Sequence, residues 1–206
     1  MTRPVSDIAF TPTVKALQAQ HGSRDAYARM EQGGGWQQTV TPDLEAFIAE
    51  RDSFYLGTAN AEGQPYIQHR GGPKGFLKVI DDRTLAFADF RGNKQYITLG
   101  ALAENDKAFI FLMDYPSRSR IKIWGQARVV EDDAELLEEL VDPQYKGHPE
   151  RAIVFTIEAW DANCPQHILP RYTEAEMTDT LQSLRDRITA LEAENRALRE
   201  DAVTST

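Results

Sequence analysis

A series of short apolar segments between residues 54 and 160 most constrains the fold of this chain. The segments have the length of strands, and the turns at 60–63 and 81–83 between them are typical of hairpins. The pattern predicts six or seven strands, at Phe54–Ala59, Tyr66–Arg70, Gly75–Ile80, Thr84–Asp89, Ala108–Met113, Arg120–Val130 and Ile153–Trp160. Because few long helices separate them, we predict a mainly β fold with flanking helices, a small antiparallel barrel and not a parallel doubly wound sheet.

Helical signals lie between and beside the strands. Thr41 is placed as the N-cap of a short helix, with Pro42 at its first position and Leu44, Phe47 and Ile48 facing inward. Two more helices are expected, one from Asn93 to about Leu102 and one over Ala134–Leu140. We therefore predict three parts: an irregular or helical arm over residues 1–40, the barrel over 41–172 and a C-terminal helix over 173–206.

The C-terminal part carries a heptad pattern. Apolar residues alternate spacings of three and four, with Leu181, Ile188 and Asn195 at a and Leu184, Leu191 and Leu198 at d. The surrounding residues are charged and leave only a narrow stripe, and an Asn at an a position often sets the register of a parallel pair. A helix packed on its own domain is the alternative. We expect a coiled coil that reinforces a dimer formed elsewhere, since three heptads alone are marginal.

Composition and charge exclude several classes of protein. The formal charge of −9 over 206 residues argues against a general nucleic-acid-binding surface, since phosphate backbones are held by clustered Lys and Arg. No apolar run approaches the roughly 18 to 20 residues of a bilayer span. The first residues lack the apolar region of a secretory signal and Cys164 has no partner cysteine, so we expect a cytoplasmic protein.

Nucleophilic and metal chemistry are poorly supported. The chain has no G-x-S-x-G elbow, and Cys164 has a histidine only at His167. The same two residues would supply only two of the ligands that zinc requires, and the other histidines are scattered. We therefore predict no metal site and assign no catalytic residue.

Two cationic, glycine-containing turns favour an anion site. The first, residues 69–75, places Arg70 and Lys74 around Gly71 and Gly72 between two strands. The second, residues 91–95, follows a strand and is expected to open a helix, where free backbone N–H groups and the helix dipole favour an anion. With a third cluster at 118–120, one shared anion site is favoured over three solvated loops.

At these segments the chain resembles the pyridoxamine 5'-phosphate oxidase-like family of FMN-binding split β-barrels, and within it the flavin-nucleotide-binding subgroup. The resemblance covers residues 47–172 and depends on the order of several motifs. They are Arg70 before Gly71-Gly72-Pro73, residues 85–89 leading to Gly92-Asn93-Lys94, residues 105–108, residues 121–127, and the closing segment 160–167. Two features differ from the true oxidase: Gly92-Asn93-Lys94 stands where it has Ser-Arg-Lys, and its C-terminal segment with a Trp and an Arg for pyridoxal phosphate and flavin has no equivalent here. FMN is therefore better supported than a vitamin B6 phosphate as substrate.

The resemblance implies an obligate homodimer with FMN in a groove between the subunits. Arg70 and Lys94 would hold the FMN phosphate, with Gly71 and Lys74 in the same loop region. The remaining implied contacts are Asn93 and Gln95 at the helix start, Phe87, Ala88 and Asp89 along the flavin, Ser119 and Arg120 from the partner subunit, and Trp160 and Gln166 at the far side.

We therefore expect an FMN-dependent oxidoreductase in which these residues bind the cofactor and the flavin carries the redox chemistry. Its substrate and electron donor are open. The alternatives are a flavin-storing or flavin-sensing module without turnover, and a dimeric barrel that binds heme or the deazaflavin F420 or has lost its cofactor.

Overall fold

The computed structural model describes residues 3–163 and 165–204. The N-terminal arm is helical, with a 3-10 helix at Val5–Ile8, α1 at Pro12–Gln20 and α2 at Arg24–Gln32. The predicted helix α3 follows at Pro42–Ala49, and the Thr41 hydroxyl oxygen accepts a hydrogen bond of 3.2 Å from the Leu44 backbone N–H. Leu44 and Ile48 are buried and Phe47 is half-buried, so the expected inward face of α3 is confirmed.

Seven antiparallel strands follow in one sheet, with the order β2-β1-β5-β6-β7-β4-β3. The strands are β1 (Ser53–Ala59), β2 (Pro65–Gly71), β3 (Lys78–Val79), β4 (Thr84–Phe90), β5 (Lys107–Asp114), β6 (Ser119–Val130) and β7 (Pro149–Asn163). Helices α4 (Ile97–Glu104) and α5 (Ala134–Leu140) are inserted between strands. Although β1 and β4 are not neighbours in this order, the rings of Phe54 and Phe87 meet at 5.1 Å. The sheet therefore curls on itself, and the predicted split β-barrel is confirmed.

Strand β4 is buried on both faces. Leu85 and Phe87 point into the main core of the barrel, whereas Ala86 and Ala88 pack in a second cluster with Leu140 of α5. The side-chain alternation of a strand explains why two small and two large residues divide in this way. The run Leu85–Asp89 therefore lies at the centre of the fold, and its last residue, Asp89, ends beside β7 and β2.

Two elements differ from the sequence prediction. The strand expected over Gly75–Ile80 is reduced to β3, because Gly75 has a φ of 74° and a turn places Phe76 in the core. The helix expected after Asn93 begins only at Ile97, because Lys94 and Tyr96 adopt left-handed φ angles of 60° and 56°. A right-handed helix cannot pass through residues in that conformation.

An aromatic stack holds the N-terminal arm on the barrel. The Trp36 ring lies 4.5 Å from the Trp124 ring of β6, and Phe10 packs on Trp36 at 5.1 Å. The Lys122 ammonium lies 5.5 Å from the Trp36 ring centre and 5.2 Å from that of Trp124. Because Trp36 is only 8% exposed, this stack is a substantial part of the contact between arm and sheet.

The arm and the barrel belong to one compact unit, Met1–Asp114 with Arg118–Gln166, and a second unit comprises Tyr115–Ser117 and His167–Thr206. The second unit contains α6 at Glu174–Thr204, a helix of 31 residues. Thr173 and Glu176 form a capping box at the start of α6. The Glu176 carboxylate accepts a hydrogen bond of 2.7 Å from the Thr173 N–H, and the Thr173 hydroxyl oxygen accepts one of 3.3 Å from the Glu176 N–H. In the described part of the chain no helix is long and apolar enough to cross a membrane.

Candidate anion-binding site

A cleft opens where β2, the end of β4 and the start of β7 meet the segment before α4. Its floor is formed by strand residues and its rim by the turn that precedes the helix. The lining residues are Tyr66, Gln68, Arg70, Asp89, Phe90, Gly92, Asn93, Lys94, Gln95, Tyr96, Ile97, Thr98, Leu99, Glu150 and Arg151. The cleft therefore contains both predicted phosphate ligands, Arg70 and Lys94.

An ion triad forms the floor of the cleft. The Asp89 carboxylate pairs with the Arg70 guanidinium of β2 through one oxygen and with Arg151 Nη1 of β7 through the other, at 3.4 Å. The antiparallel register of β4 and β7 places Asp89 directly opposite Arg151. The three side chains are only 7–13% exposed. One buried carboxylate thus joins the two arginines, and Arg151 is also paired with Glu131 at 3.1 Å and with Glu150 at 3.4 Å.

Two guanidinium nitrogens of this triad lack a hydrogen bond, Arg70 Nε and Arg151 Nε, but the second still lies 3.1 Å from the Glu131 carboxylate. The Nε of Arg70 is buried and donates no hydrogen bond within the described structure. A buried guanidinium N–H without an acceptor is costly, because it has lost its hydration. Arg70 also lines the cleft, so its guanidinium presents positive charge there and has hydrogen-bonding capacity that the described structure does not use in full.

The rim adds charge of both signs. Arg91 Nε donates to Glu150 at 2.9 Å, and this hydrogen bond, together with the nearby charges of Arg151 and Lys94, holds the pKa of Glu150 below its ordinary value. Glu150 is therefore a carboxylate at neutral pH. Among the lining residues three cations, Arg70, Lys94 and Arg151, face two carboxylates, Asp89 and Glu150. The balance favours a ligand that carries negative charge.

Helix α4 points its N-terminus into the cleft. Ile97, Thr98 and Leu99 line it, and their N–H groups have no acceptor within the helix, since they belong to its first turn. The N-cap residue Tyr96 provides no side-chain acceptor. The Thr98 hydroxyl donates to Gln68 of β2 at 2.7 Å, which attaches the helix start to the floor. Free N–H groups and the helix dipole thus add to the arginines.

The structure brings together five of the predicted site residues: Arg70, Asp89, Asn93, Lys94 and Gln95. Asn93 orders the turn, because its side-chain oxygen accepts from the Gln95 N–H at 3.1 Å. These three turn residues precede α4 and do not begin it, as the sequence prediction had placed them. The N–H groups of the helix come from Ile97–Leu99 instead.

Other predicted site residues lie away from the cleft lining of one chain. Gly71 ends β2, and Lys74 follows in an exposed loop where its ammonium pairs with Glu50 at 2.8 Å. The side chains of Phe87 and Ala88 are buried in the two core clusters and are not free to contact a ligand. The expectation that these two side chains lie along a flavin therefore has no support from their positions.

The remaining predicted residues belong to the far end of the sheet. Ser119 and Arg120 begin β6, where they pair with the end of β5, and Gln166 is exposed after β7. The Trp160 indole N–H donates to the Thr39 carbonyl at 2.8 Å, so its polar atom is used within the chain. A role for Ser119 and Arg120 from a partner subunit stays a prediction.

Sequence reasoning did not identify Arg151 and Glu150. Their only sequence signal is that they form a charged pair directly before the mainly apolar run 152–157. The predicted strand begins after this pair, at Ile153, so the prediction left both residues outside it. The observed β7 starts at Pro149, so both residues lie inside the strand and opposite β4. Tyr66, Gln68 and Thr98 were also missed, because single polar residues in a strand or helix carry no sequence signal of their own.

The described residues provide no candidate metal site. Across residues 3–163 and 165–204, no group of three or more His, Cys, Asp or Glu side chains is placed to hold a metal ion. Cys164 lies outside the described residues.

Comparison with known proteins identifies the family. The sequence model of the pyridoxamine 5'-phosphate oxidase family matches residues 40–164, which is more than half of the chain. This chain belongs to the pyridoxamine 5'-phosphate oxidase family. The matched range extends one residue beyond the end of β7 and contains every residue that lines the cleft.

Solved structures of the same fold are distant in sequence. HupZ of Group A Streptococcus is 18% identical, with a TM-score of 0.50 over 65% of this chain and 99% of that chain. A second structure of HupZ, of a single-residue variant, is 17% identical, with a TM-score of 0.50 over 60% and 99%. An FMN-binding protein from Syntrophomonas wolfei is 17% identical, with a TM-score of 0.49 over 71% and 97%. No curated protein is significantly similar to this chain.

Proposed function

We propose that this protein is an FMN-dependent oxidoreductase whose cleft binds the phosphate of FMN. The observation that carries the proposal is a cleft lined by Arg70, whose guanidinium has an unsatisfied Nε, by Lys94 and by the open N-terminus of α4. A phosphate dianion accepts several charge-assisted hydrogen bonds and fits such a donor set. Membership of the pyridoxamine 5'-phosphate oxidase family supports the same cofactor class.

Each cleft residue has a separate binding role in this proposal. Arg70 would donate from a guanidinium that Asp89 holds in place through Nη1. Lys94 is exposed on the rim and would close on the phosphate from the solvent side. Arg151 would contribute charge through the triad while Asp89 fixes its direction. The FMN ring system would supply the redox chemistry when bound, and the protein side chains would bind it and exclude water.

A second copy of the chain would complete the site. The space within the cleft of one chain is only about 50 Å³, far below the several hundred Å³ of a pocket that encloses a cofactor. The outer face of the adjacent strands carries Tyr55, Ile67, Phe109 and Phe111 on the same side, and Ile67 is 68% exposed. Tyr55 is also exposed, whereas Phe109 and Phe111 are half-buried, and a contiguous apolar face that is in part exposed indicates an interaction surface. We propose that a homodimer forms here, with Ser119 and Arg120 directed at the partner's flavin.

The test is a comparison of FMN with riboflavin, which lacks the phosphate. Wild type, Lys94→Ala and the control Lys78→Ala are titrated with both ligands, and binding is followed by quenching of flavin fluorescence. Lys78 is an exposed lysine on β3 that does not line the cleft. We expect Lys94→Ala to weaken FMN binding about 10- to 100-fold, the value of a charge-assisted hydrogen bond, and to leave riboflavin binding nearly unchanged.

Four outcomes separate the alternatives. Failure of wild type to bind FMN, or an equal loss for FMN and riboflavin, contradicts the phosphate site. Uptake of heme or F420 in place of FMN, seen in the absorption spectrum, contradicts the choice of cofactor. FMN that binds at the cleft but is never reduced by NADH, NADPH or a panel of other donors under anaerobic conditions contradicts the enzymatic part and favours a storage or sensing module.

A further inference from the structure

The heptad stripe of α6 has no cover in the described structure. The exposed fractions are 45% for Leu181, 55% for Leu184, 55% for Ile188, 45% for Leu191 and 63% for Leu198. Ile188, Leu191 and Asn195 line one open groove on the helix surface. Five large aliphatic side chains along one stripe of a helix are unfavourable in water, so the stripe requires a partner surface.

The position of Asn195 restricts that partner. In a parallel, in-register pair of identical helices each a residue faces the same a residue of the other helix, so Asn195 faces Asn195 and the two amides can hydrogen-bond to each other. In an antiparallel pair an a residue faces a d residue, and Asn195 would face an apolar leucine without an acceptor. A polar residue at an a position therefore favours the parallel register.

The charges beside the stripe agree with the same register. The g positions are Arg187 and Glu194, and the e positions of the following heptads are Glu192 and Arg199. In a parallel pair each g residue faces the e residue five positions later on the other helix. Both facing pairs, Arg187 with Glu192 and Glu194 with Arg199, are then oppositely charged. The described structure contains no ion pair within the chain for any of these four side chains.

We propose that α6 pairs with α6 of a second copy of this chain as a parallel, in-register coiled coil. Leu181 to Leu198 form its seam, Asn195 sets its register, and the Arg187–Glu192 and Glu194–Arg199 pairs set its orientation. Helix α6 is about 46 Å long at 1.5 Å per residue, so the seam extends over more than half of it. The proposal does not depend on flavin binding, since no residue of α6 lines the cleft.

The test uses disulfide formation in the full chain, because this readout is independent of any dimer made by the barrel. Cys164 is first replaced by Ser. Single cysteines are then introduced as Leu184→Cys and Leu198→Cys at d positions, and as Ala193→Cys at the outer f position for control. Joining of chains under oxidised glutathione is followed on non-reducing gels, and circular dichroism checks that each variant remains folded.

In the parallel register both d-position variants join at least about tenfold faster than Ala193→Cys, because facing thiols have a high effective concentration. Leu184 and Leu198 are separated by 14 residues, about 21 Å along the helix. An antiparallel pair can therefore join at no more than one of the two positions, and that result overturns the proposal. Equal rates at all three positions also overturn it and leave the stripe to a different partner.

A charge exchange tests the orientation by itself. In the Leu184→Cys chain, Glu194→Arg places arginine opposite Arg199 of the second copy and should slow the joining. Adding Arg199→Glu restores an opposite pair and should restore the rate. If the single and the double exchange have the same effect, the facing pairs are wrong and so is the parallel register.

Discussion

Arg70 and Asp89 form an ion pair between β2 and β4, strands that occupy the first and the sixth places in the order of the sheet. No backbone ladder joins these two strands. The pair therefore bridges the open side of the barrel, where the sheet does not close by hydrogen bonding.

Replacement of Asp89 by Ala should lower the free energy of unfolding by about 3–5 kcal/mol, because the buried Arg70 loses its carboxylate partner and Arg151 keeps only Glu131 and Glu150. Urea unfolding measures the loss. The control is Glu50→Ala, which removes the exposed ion pair with Lys74 and should leave the urea midpoint almost unchanged. Equal effects of the two substitutions would show that the triad is not a buried network.

Substitution by alanine at Gly125 and at Gly100 should change the free energy of unfolding in opposite directions. A Cβ at Gly125 would lie 2.0 Å from the Thr156 carbonyl oxygen, at the bulge where β6 and β7 shift register, so Gly125→Ala should cost about 1–3 kcal/mol or more. A Cβ at Gly100 meets no atom within 4 Å, and the residue lies inside α4. Gly100→Ala should therefore stabilise the protein by about 0.4–1 kcal/mol. Thermal unfolding of both variants checks this difference in sign.

Because Trp36 is the centre of the aromatic stack, we expect the attachment of the N-terminal arm to the barrel to depend on the Trp36 side chain. Trp36→Ala removes the contacts with Trp124 and Phe10 and should lower the free energy of unfolding by about 3–5 kcal/mol. Tyr27→Ala, which removes a 41% exposed ring at the edge of the same cluster, should cost clearly less. Limited proteolysis should then cut the arm of Trp36→Ala before it cuts the barrel. An intact arm in that variant would contradict the role of the stack.

The arm should also lose stability in acid. The Lys15 ammonium, with help from Arg3, holds the pKa of Asp7 below its ordinary value of 3.8. A carboxylate with a lowered pKa in the folded state stabilises the fold above its unfolded pKa, and this contribution disappears as the pH falls through the folded pKa. Asp7→Asn should therefore be less stable than wild type at pH 7, and the difference should shrink below about pH 4.

Urea midpoints of wild type and Asp7→Asn at several pH values provide the measurement. Glu62→Gln, at the exposed turn between β1 and β2, serves as the control and should follow wild type at every pH. A difference between wild type and Asp7→Asn that stays constant down to about pH 3 would assign the effect to packing and not to charge.

The strands were predictable because each carries its own signal. The pattern around Leu85 and Phe87 is long and apolar, and the capping signal at Thr41 and Pro42 is local, so both elements were placed correctly. The late start of α4 was not predictable, because Lys94 and Tyr96 have ordinary helical or loop propensities and their left-handed angles depend on the surrounding fold. The reduction of β3 has the same origin in the burial of Phe76.

The candidate site was predictable only in part. Arg70 and Lys94 lie in glycine-containing turns, which are visible in the sequence. Arg151 joins them through the register of β4 and β7 across about sixty residues of chain, and a strand register of that range cannot be derived from local patterns. The ion triad is thus a product of topology, whereas the two turns are products of local sequence.

The two left-handed residues before α4 also affect the entropy of ligand capture. Lys94 and Tyr96 hold a conformation that costs non-glycine residues roughly 1–2 kcal/mol each, and the Asn93 side chain braces the same turn. Folding therefore restricts this turn before any ligand arrives. An anion that enters the cleft meets N–H groups already restricted in direction, and the association loses less conformational entropy than it would at a loop that orders only on binding.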